Sequence, residues 1–215
     1  MLIHNIMRPI LFAAVCLLTG CLARPHLDKQ SFIFAPSPRS PTKVAPAGRA
    51  LGIRSLQVAT PFEGRAFVYR TGEYSYESDP YAEFMVSPAE GLIYPICGWW
   101  RETGAFRDVV DAGSALKPDT LVELHVGQLY GDFRQLENPA AVLTIRFVFF
   151  DAPNGVSGKV ILQREYSRKI PLKTRTSAAL IEGWNQALAQ ILDAATLDFG
   201  LVAANTPKPK IRQTP

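Results

Sequence analysis

The strongest constraint on the fold is an apolar stripe near the C-terminus, which recurs at helical spacing over four turns. Its members are Leu180, Ile181, Trp184, Ala187, Leu188, Ile191, Leu192 and Ala195. A helix with one wide apolar face is stable in water only when that face is covered. Because the chain before it carries strand patterns, we expect this helix to lie on a β-sheet.

Two long segments with alternating apolar residues predict the centre of that sheet. The alternation puts Val122, Leu124, Val126 and Tyr130 on one face of 121–133, and Leu143, Ile145, Phe147 and Phe149 on one face of 141–151. A third strand, 160–170, returns after an Asn154-Gly155 turn. The three segments therefore predict an antiparallel meander.

The first half of the chain predicts shorter strands and one further helix. The strands are expected at 31–34, 51–58, 67–70, 73–76 and 106–110. Ser87 and Glu90 form a capping-box pattern around Pro88, and we expect a helix that is kinked at Pro95 and ends near Gly104. The predicted fold class is α+β: an antiparallel β-sheet with two helices packed on one face, in a two-layer sandwich.

The N-terminus has the pattern of a processing signal. Arg8 precedes an apolar run over 10–18, which is shorter than the roughly 20 residues needed to cross a bilayer, and a Leu-Thr-Gly-Cys sequence ends at Cys21. This pattern resembles the lipobox of bacterial lipoproteins. The resemblance implies cleavage before Cys21 and acylation of that cysteine, for example with palmitate. Leu22, where retained lipoproteins carry Asp, favours the inner leaflet of the outer membrane, facing the periplasm.

These patterns divide the chain into four segments. We expect a lipoprotein signal peptide over 1–20, a lipidated tether with a short strand and a Pro-rich loop over 21–50, one domain over 51–204, and a disordered tail over 205–215. With 215 residues, of which 47% are hydrophobic, the chain has room for one compact domain and is not intrinsically disordered.

The charges and reactive side chains argue against two classes of function. The net charge is +4, and no basic run interleaves with aromatic residues in the globular part, so nucleic acid is not an expected partner. Cys97 lies in an apolar setting and His125 has no second metal ligand nearby. Residues 155–159 (GVSGK) are too short for a phosphate loop. We therefore expect no catalytic residue, no metal, no cofactor and no enzymatic activity.

A tyrosine-rich passage carries a resemblance to a known family. Its segments are VYR at 68–70, YSYESDPY at 74–81 and SPAE at 87–90, followed by GAF at 104–106, YGDF at 130–133 and Trp184. In this order they resemble the ABC-type transport auxiliary lipoprotein family. The sequence departs from the family pattern at 91–100, where a regular amphipathic helix is usual.

The resemblance implies a periplasm-facing lipoprotein that helps to move lipids between two membranes. Its partners would be an inner-membrane ABC permease and ATPase, and a substrate-binding protein with a mammalian-cell-entry (MCE) domain. We also count a second copy of the chain among the candidate partners. The protein would dock a lipid conduit at the outer membrane.

The aromatic residues of the passage are our candidate contact surface, because tyrosines on turns present a large rigid area with a polar tip. The candidates are Tyr69, Tyr74, Tyr76, Asp79, Tyr81 and Phe84. Two alternatives stay open. Some of the rings could pack beneath the loop, and the acidic residues Glu73, Glu77, Asp79 and Glu83 could indicate calcium or paired-carboxylate hydrolysis, although solvated turn charges are commoner.

A second function is compatible with the sequence. A periplasmic lipid-binding carrier needs an apolar cavity, and residues 142–150 are hydrophobic on both faces of a predicted strand. A periplasmic hydrolase would need a cleft with an activated nucleophile, which the residue inventory does not favour.

Overall fold

Eight strands form one sheet, and two helices cover one of its faces, which confirms the predicted α+β class. The computed structural model describes residues 28–37, 48–110 and 114–204; the predicted signal peptide, Cys21 and the tail at 205–215 lie outside these residues. The strands are β1 (Gln30–Phe32), β2 (Ala50–Val58), β3 (Ala66–Arg70), β4 (Tyr76–Phe84), β5 (Asp108–Val110), β6 (Thr120–Asp132), β7 (Ala140–Asp151) and β8 (Val160–Pro171), and the helices are α1 (Pro88–Thr103) and α2 (Ser177–Ala204).

Strand β6 joins the two halves of the sheet. Along one edge it pairs antiparallel with β7, which pairs antiparallel with β8, as the predicted meander requires. Along the other edge, its first half pairs parallel with β2 and its last residues, Gly131 and Asp132, pair parallel with β3. The sheet is therefore mixed rather than wholly antiparallel. The long connection 59–119 allows β6 to run alongside β2 in the same direction.

The remaining strands extend these two branches. Strand β5 pairs parallel with β2, while β4 pairs antiparallel with β3 and parallel with β1. Because β1 pairs with β4, residues 28–37 belong to the folded body. The predicted domain boundary at residue 51 falls inside β2, which begins at Ala50.

A bulge in β6 changes the face on which its last residues lie. The register with β7 shifts between Val126 and Gln128, and one extra residue inverts the alternation of side chains. Gly131 consequently faces Leu180 of α2, and its neighbour Tyr130 faces the opposite side of the sheet. The prediction that Tyr130 shares a face with Val122 is therefore wrong.

The tyrosine-rich passage differs from the predicted strand at 73–76 with a turn after it, because the strand begins only at Tyr76 and continues through the expected turn. The tight turn lies at 71–75, where Thr71 N–H donates to the carbonyl of Ser75, and β4 continues from Tyr76 through Pro80 to Phe84. Strand β4 tolerates Pro80 because its pairing with β3 is interrupted there: Val68 pairs with Ser78, whereas Ala66 pairs with Glu83.

Helix α1 begins and ends as predicted. Ser87 Oγ accepts a hydrogen bond from Glu90 N–H at 3.3 Å, and Gly104 closes the helix in the left-handed region at φ 64°. The helix is continuous through Pro95. Trp100 is fully buried, and its Nε1 donates to Thr196 Oγ1 of α2 at 3.1 Å, so the two helices are joined inside the core. Cys97 is buried, as predicted.

Helix α2 packs its entire predicted apolar stripe into the core. Trp184 is fully buried, donates from Nε1 to the carbonyl of Val142 at 3.1 Å, and meets Phe67 edge to face. By length and mean hydropathy (1.4 over 18 residues) α2 could also cross a membrane, but half of that window is buried within the protein. Its apolar composition is explained by packing on the sheet.

The contact between α2 and the sheet depends on a glycine. A Cβ atom on Gly183 would lie 2.7 Å from Ala141 Cβ and 2.7 Å from Leu172 Cδ2, which is too close for either neighbour. We expect Gly183→Ala to lower the free energy of unfolding by about 1–3 kcal/mol, since the helix must move away from the sheet. Urea unfolding followed by tryptophan fluorescence measures this change.

Gly98→Ala in α1 is the matched control, because nothing lies within 4 Å of an added Cβ atom there. This variant should be stabilised by about 0.5–1 kcal/mol through its helix propensity alone. If both variants were stabilised equally, the close approach of α2 at Gly183 would be contradicted.

Candidate functional site

Three of the six candidate contact residues lie on the surface. Tyr74 is 88% exposed in the 71–75 turn, and Tyr76 and Tyr81 of β4 are 45% and 48% exposed. We call these three residues the tyrosine surface. They are separated by acidic and small polar residues, so the surface offers aromatic area with polar surroundings.

Phe84 does not belong to this surface, which corrects the sequence-based candidate set. It is only 3% exposed and stacks on Phe34 at 4.9 Å, with Phe67 at 4.7 Å and Trp184 at 5.5 Å between ring centroids. The bulge in the β3–β4 pairing places Ala82 and Phe84 in the core. Phe84 therefore stabilises the fold and is not accessible to a partner.

Tyr69 and Asp79 are half-buried and hold β3 and β4 together, and Tyr69 lies on the face of this strand pair opposite to Tyr76. The Tyr69 hydroxyl donates to Asp79 Oδ2, and its ring stacks on Phe133 at 4.8 Å. Burial, followed by the hydrogen bond to Asp79, raises the pKa of Tyr69 well above its ordinary value, so the hydroxyl remains a donor at neutral pH.

The second oxygen of Asp79 organises the backbone of β4. Asp79 Oδ1 accepts from Tyr81 N–H at 2.7 Å and from Ala82 N–H at 3.0 Å. These bonds compensate for the backbone pairing that Pro80 interrupts, and they hold the backbone at Tyr81 and Ala82. Asp79 is thus a positioning residue for the surface.

Tyr76 is held from the side by residues that the sequence analysis did not single out. Its ring meets Tyr130 edge to face, with 5.6 Å between ring centroids, and its centroid lies 6.1 Å from that of Phe62. The Arg70 guanidinium lies over the ring, 5.8 Å from its centroid. Because three neighbours contact the ring, about half of it is presented to solvent in a fixed orientation. The bulge in β6, which no sequence pattern predicted, brings Tyr130 to this place.

A charge cluster centred on the buried Asp132 stabilises the same end of the sheet. Asp132 accepts from Arg134 Nε and Nη2 at 2.8 Å each and from Lys169 Nζ at 2.8 Å. The bonds from Arg134, and then those from Lys169, lower the pKa of the Asp132 carboxyl well below its usual range despite its burial. The aspartate therefore stays ionised and ties the end of β6 to β8.

The other chemistry-bearing residues are dispersed. His125 lies opposite Arg146 in the β6–β7 pairing, and Cys97 is buried in α1. Within 28–37, 48–110 and 114–204, no three histidine, cysteine or acidic side chains come together as a metal site would require. The carboxylate of Asp79 is engaged by Tyr69 and the backbone, so it is not arranged as a calcium ligand.

Comparison with known proteins supports the fold. No family model matches the sequence, and no curated protein matches it. The crystal structure of a Xanthomonas campestris protein assigned to the family DUF330 superposes with a TM-score of 0.63 at 16% identity, covering 83% of this chain and 98% of that chain. An uncharacterized protein gives a TM-score of 0.58 at 13% identity, covering 81% and 97%. At these identities the likeness shows a shared fold.

The hydrogen bond from Tyr69 to Asp79 is the contact that we expect to matter most for the tyrosine surface. Tyr69→Phe should lower the free energy of unfolding by about 1–2 kcal/mol, because it removes a charge-assisted hydrogen bond. Chemical unfolding of the variant measures the loss. Tyr74→Phe is the control, since the side chain of Tyr74 stands in solvent, and it should change stability by less than about 0.5 kcal/mol. Equal effects of the two variants would contradict the positioning role of Tyr69.

Proposed function

We propose that this protein is a membrane-anchored auxiliary lipoprotein of an ABC/MCE-type transport system, and that it docks a lipid conduit at the outer membrane. The observation that carries the proposal is the tyrosine surface: the passage that resembles the auxiliary lipoprotein family exposes three tyrosines on β4 and its preceding turn, and the Tyr76 ring is held by its neighbours. The fold shared with the DUF330 protein over 98% of that chain also supports it.

The anchor in this proposal is Cys21. The lipobox pattern supports cleavage and acylation there, and Leu22 supports sorting to the inner leaflet of the outer membrane. Cys21 lies nine residues before Gln30, where β1 begins, so the tether reaches about 30 Å at most. The folded body would then work close to the membrane surface, in the periplasm.

A recognition role fits the arrangement of the side chains better than a catalytic one. Asp132 accepts hydrogen bonds from Arg134 and Lys169 and its pKa is lowered, so it is not poised to transfer a proton at neutral pH, and the Asp79 carboxylate is engaged by Tyr69 and the backbone. The Tyr76 ring is held by Tyr130, Phe62 and Arg70, which reduces the entropy lost on binding a partner. Energy for transport would come from the ATPase partner.

The alternative of a lipid-binding carrier has less support. Val148 and Phe150 of β7 are half-buried on the face without helices, but the Arg54 guanidinium lies 5.9 Å from the Phe150 ring and partly covers it. The apolar groove beside α1 has a volume of about 250 Å³, below the roughly 300–1,000 Å³ of typical small-molecule sites. Lipid recovered from the purified domain in stoichiometric amount would favour the carrier.

Cys21→Ser tests the anchoring. In a Gram-negative host, the unmodified chain should incorporate labelled palmitate and fractionate with the outer membrane, because several acyl chains hold it there. The variant should lose the label and no longer float with outer-membrane vesicles. An unlabelled wild-type chain, or a variant that stays membrane-bound, would contradict lipid anchoring at this residue.

Photocrosslinking from the tyrosine surface tests the partner. A benzophenone amino acid at position 76 should give a crosslink to the MCE-domain protein, because the Tyr76 ring is exposed and held in place. The control position is 156. Val156 is also exposed, and it follows the end of β7, whereas Tyr76 contacts Tyr130, which pairs with Val142 near the start of β7.

Crosslinks from position 76 to lipids only, or equal protein crosslinks from both positions, would contradict docking through the tyrosine surface. A crosslink to a second copy from position 76 would assign the surface to self-association and count against the docking role.

A further inference from the structure

Five large apolar side chains are exposed in the segments around the start of α1, and three of them line one groove. They are Ile33 (61% exposed), Met85 (57%), Val86 (43%), Ile93 (41%) and Tyr94 (81%), and we call them the α1 patch. Their exposure is unusual because soluble proteins scatter such residues singly, whereas clustered ones mark contact surfaces.

The topology of the fold brings the patch residues together. Strands β1 and β4 are parallel neighbours whose last residues, Phe32 and Phe84, pair with each other. Met85 N–H donates to the carbonyl of Phe32 at 2.8 Å, so the residues that follow both strands emerge side by side.

A shallow groove connects the strand ends with the helix. Ile33, Val86 and Tyr94 line it together, and the buried rings of Phe34 and Phe84 also contribute to its walls. These three residues therefore connect the end of β1 with the second turn of α1, and Met85 and Ile93 are their exposed neighbours in the sequence.

The patch lies beside the point where the N-terminal tether joins the fold. Lys29 forms an ion pair with Glu83 at 2.6 Å, which fixes the chain against β4 immediately before β1. From there, the three residues of β1 cover only about 10 Å before Ile33. A chain anchored at Cys21 cannot carry this edge of the protein far from the bilayer, because the tether spans about 30 Å at most.

We propose that the α1 patch is a membrane-contact surface that enters the boundary between headgroups and acyl chains of the bilayer holding the anchor. This inference rests on the proposed lipid anchoring at Cys21. Ile33, Met85, Val86 and Ile93 supply aliphatic area for the acyl side of the boundary. Tyr94 supplies an amphipathic ring of the kind that concentrates at membrane interfaces.

The tyrosine surface is also within reach of the tether, but its charges make it a poor membrane contact. Glu73 and Glu77 accompany Tyr74 and Tyr76, and carboxylates are repelled by the anionic lipids of a bacterial membrane. In the α1 groove the acidic group is Glu90, which accepts a hydrogen bond from Ser87 Oγ at 3.0 Å. We therefore assign the α1 patch to contact with lipid and the tyrosine surface to contact with a protein partner.

A depth measurement on the full lipidated chain tests the patch. Tyr94→Cys, labelled with an environment-sensitive fluorophore, is reconstituted into vesicles of phosphatidylethanolamine and phosphatidylglycerol, with or without brominated acyl chains. Acylation blocks Cys21 and burial protects Cys97 from the label. We expect a blue-shifted emission that loses about half its intensity with brominated lipids, because an interfacial side chain contacts the acyl chains.

The control is Tyr74→Cys with the same label, on a residue that is similarly exposed but belongs to the tyrosine surface. Its emission should be unchanged by brominated lipids. Flotation of the same vesicles reports anchoring separately, so the patch and the anchor are tested by different readouts.

The remaining outcomes each overturn the proposal. If the vesicles float with the protein but the label at 94 is quenched no more than the label at 74, the patch does not contact lipid, and the proposed transport function is unaffected. Shielding of position 94 without quenching by brominated lipids would assign the patch to a second copy of the chain. A chain that fails to float would overturn the anchor and the patch together.

Discussion

The close approach of α2 to the sheet is the contact on which the rest of the structure depends. Gly183 lets the helix backbone come against Ala141, and Trp184 fills the space beside it while donating a hydrogen bond to Val142. The Trp184 ring also contacts Phe67 and Phe84, so one side chain from the helix joins β3, β4 and β7. Since β1 pairs with β4, the strand that follows the proposed tether is fastened to the same core.

The surfaces of the molecule differ in what covers them. The two helices occupy one face of the sheet, so the other face and the strand ends remain for contacts with other molecules. At one end of β4, Tyr76 is fixed by Arg70 and Tyr130; at the other end, the chain enters the apolar α1 patch. Under the proposed function, the N-terminal tether and the α1 patch would lie at the membrane while the tyrosine surface remains accessible to a protein partner.

Sequence patterns predicted the elements whose signal is local. The apolar stripe of α2 and the Ser87 cap of α1 both follow from spacing within a single helix, and the structure confirms them. The main errors involve the pairing between strands. The β6 bulge that moves Tyr130, the bulge that buries Phe84 and the parallel pairing of β2 with β6 depend on which strands become neighbours, and alternation within one strand does not contain that information.

In the candidate site, too, local features were predicted and features that depend on strand pairing were not. Tyr74, Tyr76 and Tyr81 were identified from residue type and turn context, whereas the roles of Tyr69 and Asp79 as internal supports emerge only from the β3–β4 register. The α1 patch was not predicted because Ile33 is far in the sequence from Val86 and Tyr94. These residues come together only where β1 and β4 end side by side.

The central claim is that this protein is an anchored recognition component of a transport assembly. Purification of the tagged full chain from detergent-solubilised envelopes of its own host, with mass spectrometry of what accompanies it, tests that claim most directly. The account predicts that an ABC permease, its ATPase and an MCE-domain protein are enriched together with an acylated chain. Recovery of the acylated chain with none of these proteins, across detergents that preserve other envelope complexes, would contradict it.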